Sequence, residues 1–207
     1  MSTSDEKLSQ AIALARNILR QEAETLLALA EGLDAAFWTC AQLISRCEGL
    51  VWVTGVGTSA AVAQRFAHIL SSGGTRSMFL HPSDGLHGHS GVLAGDDLLI
   101  AMSRGGESSE VNRLVAIANQ RGVTTVAFVH DTASSLAKAC QHVLPIPSKQ
   151  EYELMGVLAT TSTVAFSAMC DALAGVILEA RGYTLKEFIK THPGGAVGKR
   201  FHERTDT

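Results

Sequence analysis

Leu50-Val-Trp-Val-Thr-Gly-Val-Gly-Thr-Ser59 is an apolar run that breaks into a glycine turn and two hydroxyls. Its Val- and Trp-rich part reads as a short buried strand. Gly55 and Gly57 let the backbone turn tightly and come close to a ligand. Thr58 and Ser59 stand where the next helix begins, and a helix N-terminus attracts anions. The stretch predicts an anion site at the end of the first strand.

Outward from it, strand-like runs recur at 50–54, 77–80, 97–103, 124–129 and, more weakly, 142–145. Helical patterns lie between them at Ser59–Ser72 and Glu107–Arg121, with Gly73, Gly74 and Gly122 at the expected helix ends. Such alternation implies right-handed βαβ units and a parallel sheet covered on both faces. Upstream, Leu8, Ile12, Ala15, Ile18, Leu19, Leu26 and Leu29 form one helical stripe that Gly32 ends. Asp34 suits the N-cap of a second helix carrying Phe37, Cys40, Leu43, Ile44 and Cys47. Downstream, a long helix from about Gly156 to Arg181 stops at Gly182, and a short one, Thr184–Thr191, precedes His192-Pro-Gly-Gly195.

At 207 residues the chain reads as one domain over 1–207, with N-terminal helices over about 5–48 and an α/β core over about 49–202. That size buries roughly 70% of the unfolded surface without staples. Apolar content of 46% and charged content of 18% fit a soluble globular protein. A net charge of −3 and 5% aromatics argue against nucleic acid as partner. No signal-peptide core follows the polar start, and no stretch approaches the ~20 apolar residues of a membrane span, so the expected location is cytoplasmic. Cys40, Cys47, Cys140 and Cys170 lack zinc or redox spacing and read as buried free thiols.

A second candidate turn is Ser103-Arg-Gly-Gly-Glu-Ser-Ser109, after the apolar strand Leu98–Met102. In open α/β sheets, ligands bind outside the carboxyl ends of the strands. Two hydroxyl-rich turns converging there suit a phosphate monoester, whose oxygens accept from backbone N–H groups and from Ser59, Ser103 and Ser108. The competing reading is a pair of ordinary strand-to-helix turns capped by Ser. Gly55-x-Gly57-x-x-Ala60 also matches a dinucleotide fingerprint. That reading needs an acidic residue closing the next strand, where His81-Pro82 stands instead and Asp84 comes late. No Walker-type Gly-Lys-Ser/Thr is present.

Gly55-Val-Gly-Thr-Ser59, His81-Pro-Ser-Asp-Gly-Leu-His-Gly88, Ser103-Arg-Gly-Gly-Glu-Ser-Ser-Glu110, Thr160-Thr-Ser-Thr163 and His192-Pro-Gly-Gly-Ala-Val-Gly198 follow in one order and spacing. Together, over residues 10–202, they resemble the sugar isomerase (SIS) domain family, in its arabinose-5-phosphate isomerase branch. The resemblance implies an α/β three-layer sandwich, a five-stranded parallel sheet of flavodoxin-like type flanked by helices. It implies a sugar-phosphate site at the strand ends, aldose–ketose isomerase activity, and a homo-oligomer, tetramer or dimer, with sites shared between subunits. Carried over by motif, Ser59, Ser103, Ser108 and Ser109 hold phosphate, with Gly57, Thr58, Arg104 and Thr160 also at the substrate. Glu107, Glu151 and His192 match the family's acid/base positions, and His87 lies beside the sugar. The paired nucleotide-sensing (CBS) modules that often follow in this branch, and the feedback they bring, are not expected here.

The chemistry asks for such groups. Aldose–ketose isomerisation moves a proton between neighbouring carbons through an enediol, so a carboxylate must abstract and return it. Partial burial would raise that carboxyl toward neutrality. Histidine titrates near working pH and suits ring opening or carbonyl polarisation. No metal or redox cofactor is required. Glu151 is the expected base with His192 assisting; the competing readings are a solvated loop carboxylate and a surface histidine, and for Glu107 a helix cap. Two departures from the branch stand out: Thr58 replaces its lysine, and Arg104-Gly105 replaces a more usual Asn/Gln-Ser pair. Arg104 would restore a cation suited to bidentate phosphate contact, or point to solvent. His81, His87 and His89 read as incidental metal affinity rather than a site. Beside the isomerase stand a non-catalytic sugar-phosphate sensor and, more distantly, a dinucleotide-dependent oxidoreductase.

Overall fold

The computed structural model describes residues 3–195. The end of the expected core at 202 and the last three residues of the His192–Gly198 motif lie outside the described residues. Two helices, α1 (Thr3–Glu31) and α2 (Ala35–Arg46), precede the first strand, β1 (Val51–Gly55). There follow α3 (Gly57–Ser72), β2 (Ser77–Phe79), α4 (Pro82–Leu86), a 3-10 turn (His89–Val92), β3 (Leu98–Met102), α5 (Ser109–Gln120) and β4 (Thr124–Val129). The described chain ends with α6 (Ser135–Ala139), β5 (His142–Pro145), a 3-10 turn (Gln150–Tyr152), α7 (Thr161–Arg181) and α8 (Leu185–Thr191).

All five strands are parallel, in the order β2-β1-β3-β4-β5. The two central partners, β1 and β3, are buried along their whole length and pair from Val51↔Leu98 to Gly55↔Met102. A strand covered on both faces needs apolar residues at every position, which is why both read as continuous runs rather than alternating ones. Val51, Val53, Ile100, Met102 and Phe128 face one core with Phe66 of α3, Ile44 of α2 and Met169 of α7. Trp52, Leu99 and Ala101 face the other with Leu114 of α5 and Leu136 of α6. α3 therefore crosses on one face and α5 on the other, so the winding reverses between β1 and β3. That is the switch point where open α/β sheets bind ligands.

The expected five-stranded architecture and its two leading helices are present, with informative shifts at the ends. α5 begins at Ser109 rather than 107, because Ser103–Ser108 is used up in the turn. α7 begins at Thr161 rather than 156: Met155 and Gly156 take left-handed φ of 57° and 71°, and Leu154 and Leu158 close a small antiparallel bridge. α4, α6 and both 3-10 turns are shorter than the span over which helical periodicity can be read. Asp34 caps α2 as expected, its Oδ1 accepting from the Ala36 N–H at 2.8 Å, and Gly182 ends α7 at φ 60°.

One expectation is corrected. α7 is long and apolar enough, at a mean hydropathy of 1.6, to cross a membrane by length and composition. Its uncharged Ser and Thr residues raise no barrier on that scale, but the helix packs against α1, α2 and α3 inside the fold. Cys40, Cys140 and Cys170 are buried free thiols and Cys47 is half-buried; burial pushes Cys40 and Cys140 up to about 12. The first half of α1 stands clear of the fold, with Leu8, Ile12, Leu14 and Leu19 exposed.

Candidate functional site

The C-terminal ends of β1 and β3 lie side by side and each runs into a helix. The Val56 N-cap of α3 and the Ser108 N-cap of α5 make no side-chain capping bond. Both helices therefore present first-turn N–H groups without an internal acceptor, as an anion site requires. Gly55 serves packing rather than ligand approach: a Cβ there would stand 3.1 Å from the Met102 carbonyl and from the Ser59 backbone. Gly57 is the residue with room, at φ +58° and with nothing within 4 Å of an added Cβ. In the second turn, the Ser103 and Ser108 hydroxyls lie 3.2 Å apart and the Gly106 N–H donates to Ser103 Oγ. Ser103 is buried, Ser59 and Ser108 are half-buried, and Thr58 and Ser109 are exposed.

α7 begins differently. Glu153 accepts from the Thr160 N–H at 2.6 Å and the Ser162 N–H at 3.1 Å, so a carboxylate of this chain fills the helix end. Glu153 is 4% exposed, and Arg104 Nε lies 3.4 Å from its Oε1. Burial pushes the carboxyl up; hydrogen bonds from Ser162 and Thr160, with the Arg104 charge, outweigh it and hold Glu153 below its ordinary 4.5. Thr160 is thus engaged with Glu153, by its hydroxyl as well as its N–H. The space between Thr58, Ser59, Arg104, Ser162 and Thr163 is only about 20 Å³. A larger cavity of about 470 Å³ borders the loop after β5, lined by Glu24, Thr25, His130, Ser148, Lys149 and Tyr152 among others.

The candidate acid/base residues have separate surroundings. Glu151 is exposed on the 3-10 turn, and none of the side-chain hydrogen bonds among the described residues involves it. Glu107 is exposed and reaches across to α6, where its carboxylate accepts from the Ser135 N–H at 2.8 Å. Those hydrogen bonds from Ser135 hold it below its ordinary 4.5. It caps α6 and not, as the competing reading had it, its own helix. His192 ends α8 with its ring stacked on Phe188 at 3.7 Å between centroids. Its Nδ1 lies 2.8 Å from the Phe188 carbonyl, which makes Nδ1 the donor and leaves Nε2 as the basic nitrogen of the neutral ring. Nothing within the described chain brings His192 against Glu151 or Glu107. His87 is exposed at the end of α4, whose N-terminus His81 caps through Nδ1. Among the described residues, no group of three His, Cys, Asp or Glu is placed to hold a metal ion.

Sequence reasoning missed Glu153. The available signal was Arg104, a long cation in a turn of small residues, which calls for a carboxylate; choosing Glu153 over Glu151 required the geometry.

Residues 44–175 match the family model described as SIS domain. The chain is 35% identical over 185 residues, 89% of its length, to arabinose 5-phosphate isomerase KdsD of Shigella flexneri, and it spans 56% of that relative's length. Among solved structures it is similar to a sugar-phosphate complex of E. coli CFT073 c3406, at 27% identity and a TM-score of 0.85, covering 93% of this chain and all of that one. The sugar isomerase domain of the RpiR transcription factor from Sphaerobacter thermophilus, 24% identical, shares the fold at a TM-score of 0.71, covering 92% of this chain and 98% of that one.

Proposed function

The chain belongs to the SIS domain family, and from that premise we propose that it is a phosphosugar aldose–ketose isomerase of the arabinose-5-phosphate type. The observation that carries the reading is the pair of uncapped helix starts, α3 and α5, beside one another at the β1/β3 switch point with Ser59, Ser103 and Ser108 around them. A phosphate dianion offers acceptors to just such a set of N–H and O–H donors. In this reading Ser59, Ser103, Ser108 and Ser109 hold the phosphate. Gly57 gives it room, and Thr58, Thr160 and His87 border the sugar.

Glu151 takes the C2 proton of the open-chain aldose phosphate. The enediol forms, and the same carboxylic acid returns a proton to C1. His192 moves a proton between O1 and O2, and Glu107 keeps the Ser103–Ser109 turn in place through α6. The step is redox-neutral within the substrate, so no electron carrier takes part. His192 reaches such a site from a neighbouring copy of the chain. Among the described residues α8 has no substantial packing partner in the fold, and the exposed apolar residues of α1 and of the loop Leu154–Leu158 give a homo-oligomer its contacts.

A sugar-phosphate sensor is the second reading, favoured by Thr58 and by the engagement of Glu107 with α6. Two measurements separate the readings. A panel of pentose and hexose phosphates should raise the melting temperature, since ligand at a hundred times its Kd contributes about 2.7 kcal/mol. Any hit should then exchange its C2 proton with D2O in the presence of the protein. Binding without exchange makes the chain a sensor.

A further inference from the structure

The Arg104 side chain leaves the β3 turn and makes its bonds on the segment between β5 and α7. Its Nε lies 3.3 Å from Ser148 Oγ and 3.4 Å from Glu153 Oε1, and its Nη1 donates to Gln150 Oε1 at 2.6 Å. The backbone follows the same route: the His130 N–H donates to the Arg104 carbonyl at 2.9 Å, and the Ser148 N–H to His130 Nδ1 at 3.1 Å. Ser148, Gln150 and Glu153 lie on both sides of Glu151 in the chain. Further bonds tie the segment to α7, with the Thr161 hydroxyl donating to the Tyr152 carbonyl at 2.8 Å and the Gln150 amide donating to the Gly156 carbonyl.

The geometry points to Arg104 as a positioning residue: with Glu153 it clamps the Gln150–Glu153 turn to the β3 phosphate turn and so aims the Glu151 carboxylate. Its kinetic consequence rests on the reading of Glu151 as the base; the clamp itself does not. The chemistry of the pair explains the choice of residue. A planar guanidinium presents donors to several fixed acceptors at once, which an ammonium cannot match. Glu153, nearly fully buried, is tolerable as a charge only while its cation and its two N–H donors stay in place. Arg104 is thereby committed to the loop and is not free to act as the phosphate's cation.

The test uses the full chain and the variants Arg104→Lys, Arg104→Gln and Glu153→Gln. In hydrogen exchange without ligand, amides over 150–153 and 160–162 should exchange on the order of tenfold faster in each variant, with those of β1 and β3 unchanged. Arg104→Lys keeps the charge and guards against loss of folding. In turnover of an aldose phosphate, Arg104→Lys and Glu153→Gln should each lower kcat by up to about a hundredfold with KM little changed, the scale of an ångström's misplacement. The double variant should be no worse than the poorer single one, because both break one contact. Unchanged exchange over 150–162 overturns the clamp. So does a raised KM with intact kcat in the Arg104 variants while Glu153→Gln behaves as wild type, which would make Arg104 a phosphate ligand. Faster exchange in a chain that turns over no aldose phosphate upholds the clamp and ends the isomerase reading.

Discussion

Three long helices start at the C-terminal edge of this sheet or beside it, and they start in two ways. α3 and α5 begin with no side-chain cap, whereas α7 begins on the carboxylate of Glu153. All three N-termini carry the same partial positive charge. Only the first two leave it for a ligand. The helix end that the protein needs for rigidity is filled by its own residue, and the ends that it needs for recognition are not. Where an α/β protein binds an anion is thus decided by which helix starts its own side chains leave open.

The comparison can be broken in graded steps. The largest effect lies on the loop that Glu153 anchors: Glu151→Gln should lower kcat for an aldose phosphate by roughly 10²–10⁴ at nearly unchanged KM, as for loss of a general base, with the fold intact by circular dichroism. Turnover that survived would remove Glu151 from that role. Next comes the filled helix end itself. Glu153→Ala takes a carboxylate from two N–H donors and a half-buried Arg104, and urea unfolding should show a loss of about 3 kcal/mol.

The same group sets an acid response. Because its folded value lies below the ordinary 4.5, its stabilisation is present in full above that pH and drains away as pH falls below it. Glu153→Gln should lose that part of the acid slope while leaving the rest of the curve.

Filling an open end makes the converse change. Ser108→Asp would give α5 an internal anion, with about 0.5 kcal/mol more stability expected from the helix charge. Phosphosugar binding by thermal shift or calorimetry should weaken about tenfold or more through like-charge repulsion. A variant that bound phosphosugar as before would place the phosphate elsewhere. The smallest effect belongs to Glu107→Gln, which weakens the cap of α6. Its melting temperature should fall slightly at neutral pH, and the difference should vanish as pH drops below 4.5, where the wild-type carboxylate is itself lost.

Much of this was readable from residues alone. Strands buried on both faces show as apolar runs, and Asp34, Gly73 and Gly182 punctuate their helices by local chemistry, so the element order followed from short-range signals. The paired glycine turns were legible for the same reason: Gly57 and Gly106 carry left-handed φ that other residues avoid. The start of α7 was not legible, because Met155 adopts φ 57° without being glycine and is held there by its loop. Nor was the use of Glu107, whose acceptor role lies 28 residues away at Ser135.

What the sequence determined by itself, then, is the alternation of strands and helices and the two hydroxyl-rich turns, since these depend on backbone preferences and on burial period within a few residues. What only the tertiary structure decided is how the charged side chains are shared out. Arg104 goes to Ser148, Gln150 and Glu153, Glu107 goes to α6, and Glu151 is left exposed. A carboxylate's partner is set by distance across the fold, and residues tens of positions apart carry no local pattern that encodes it.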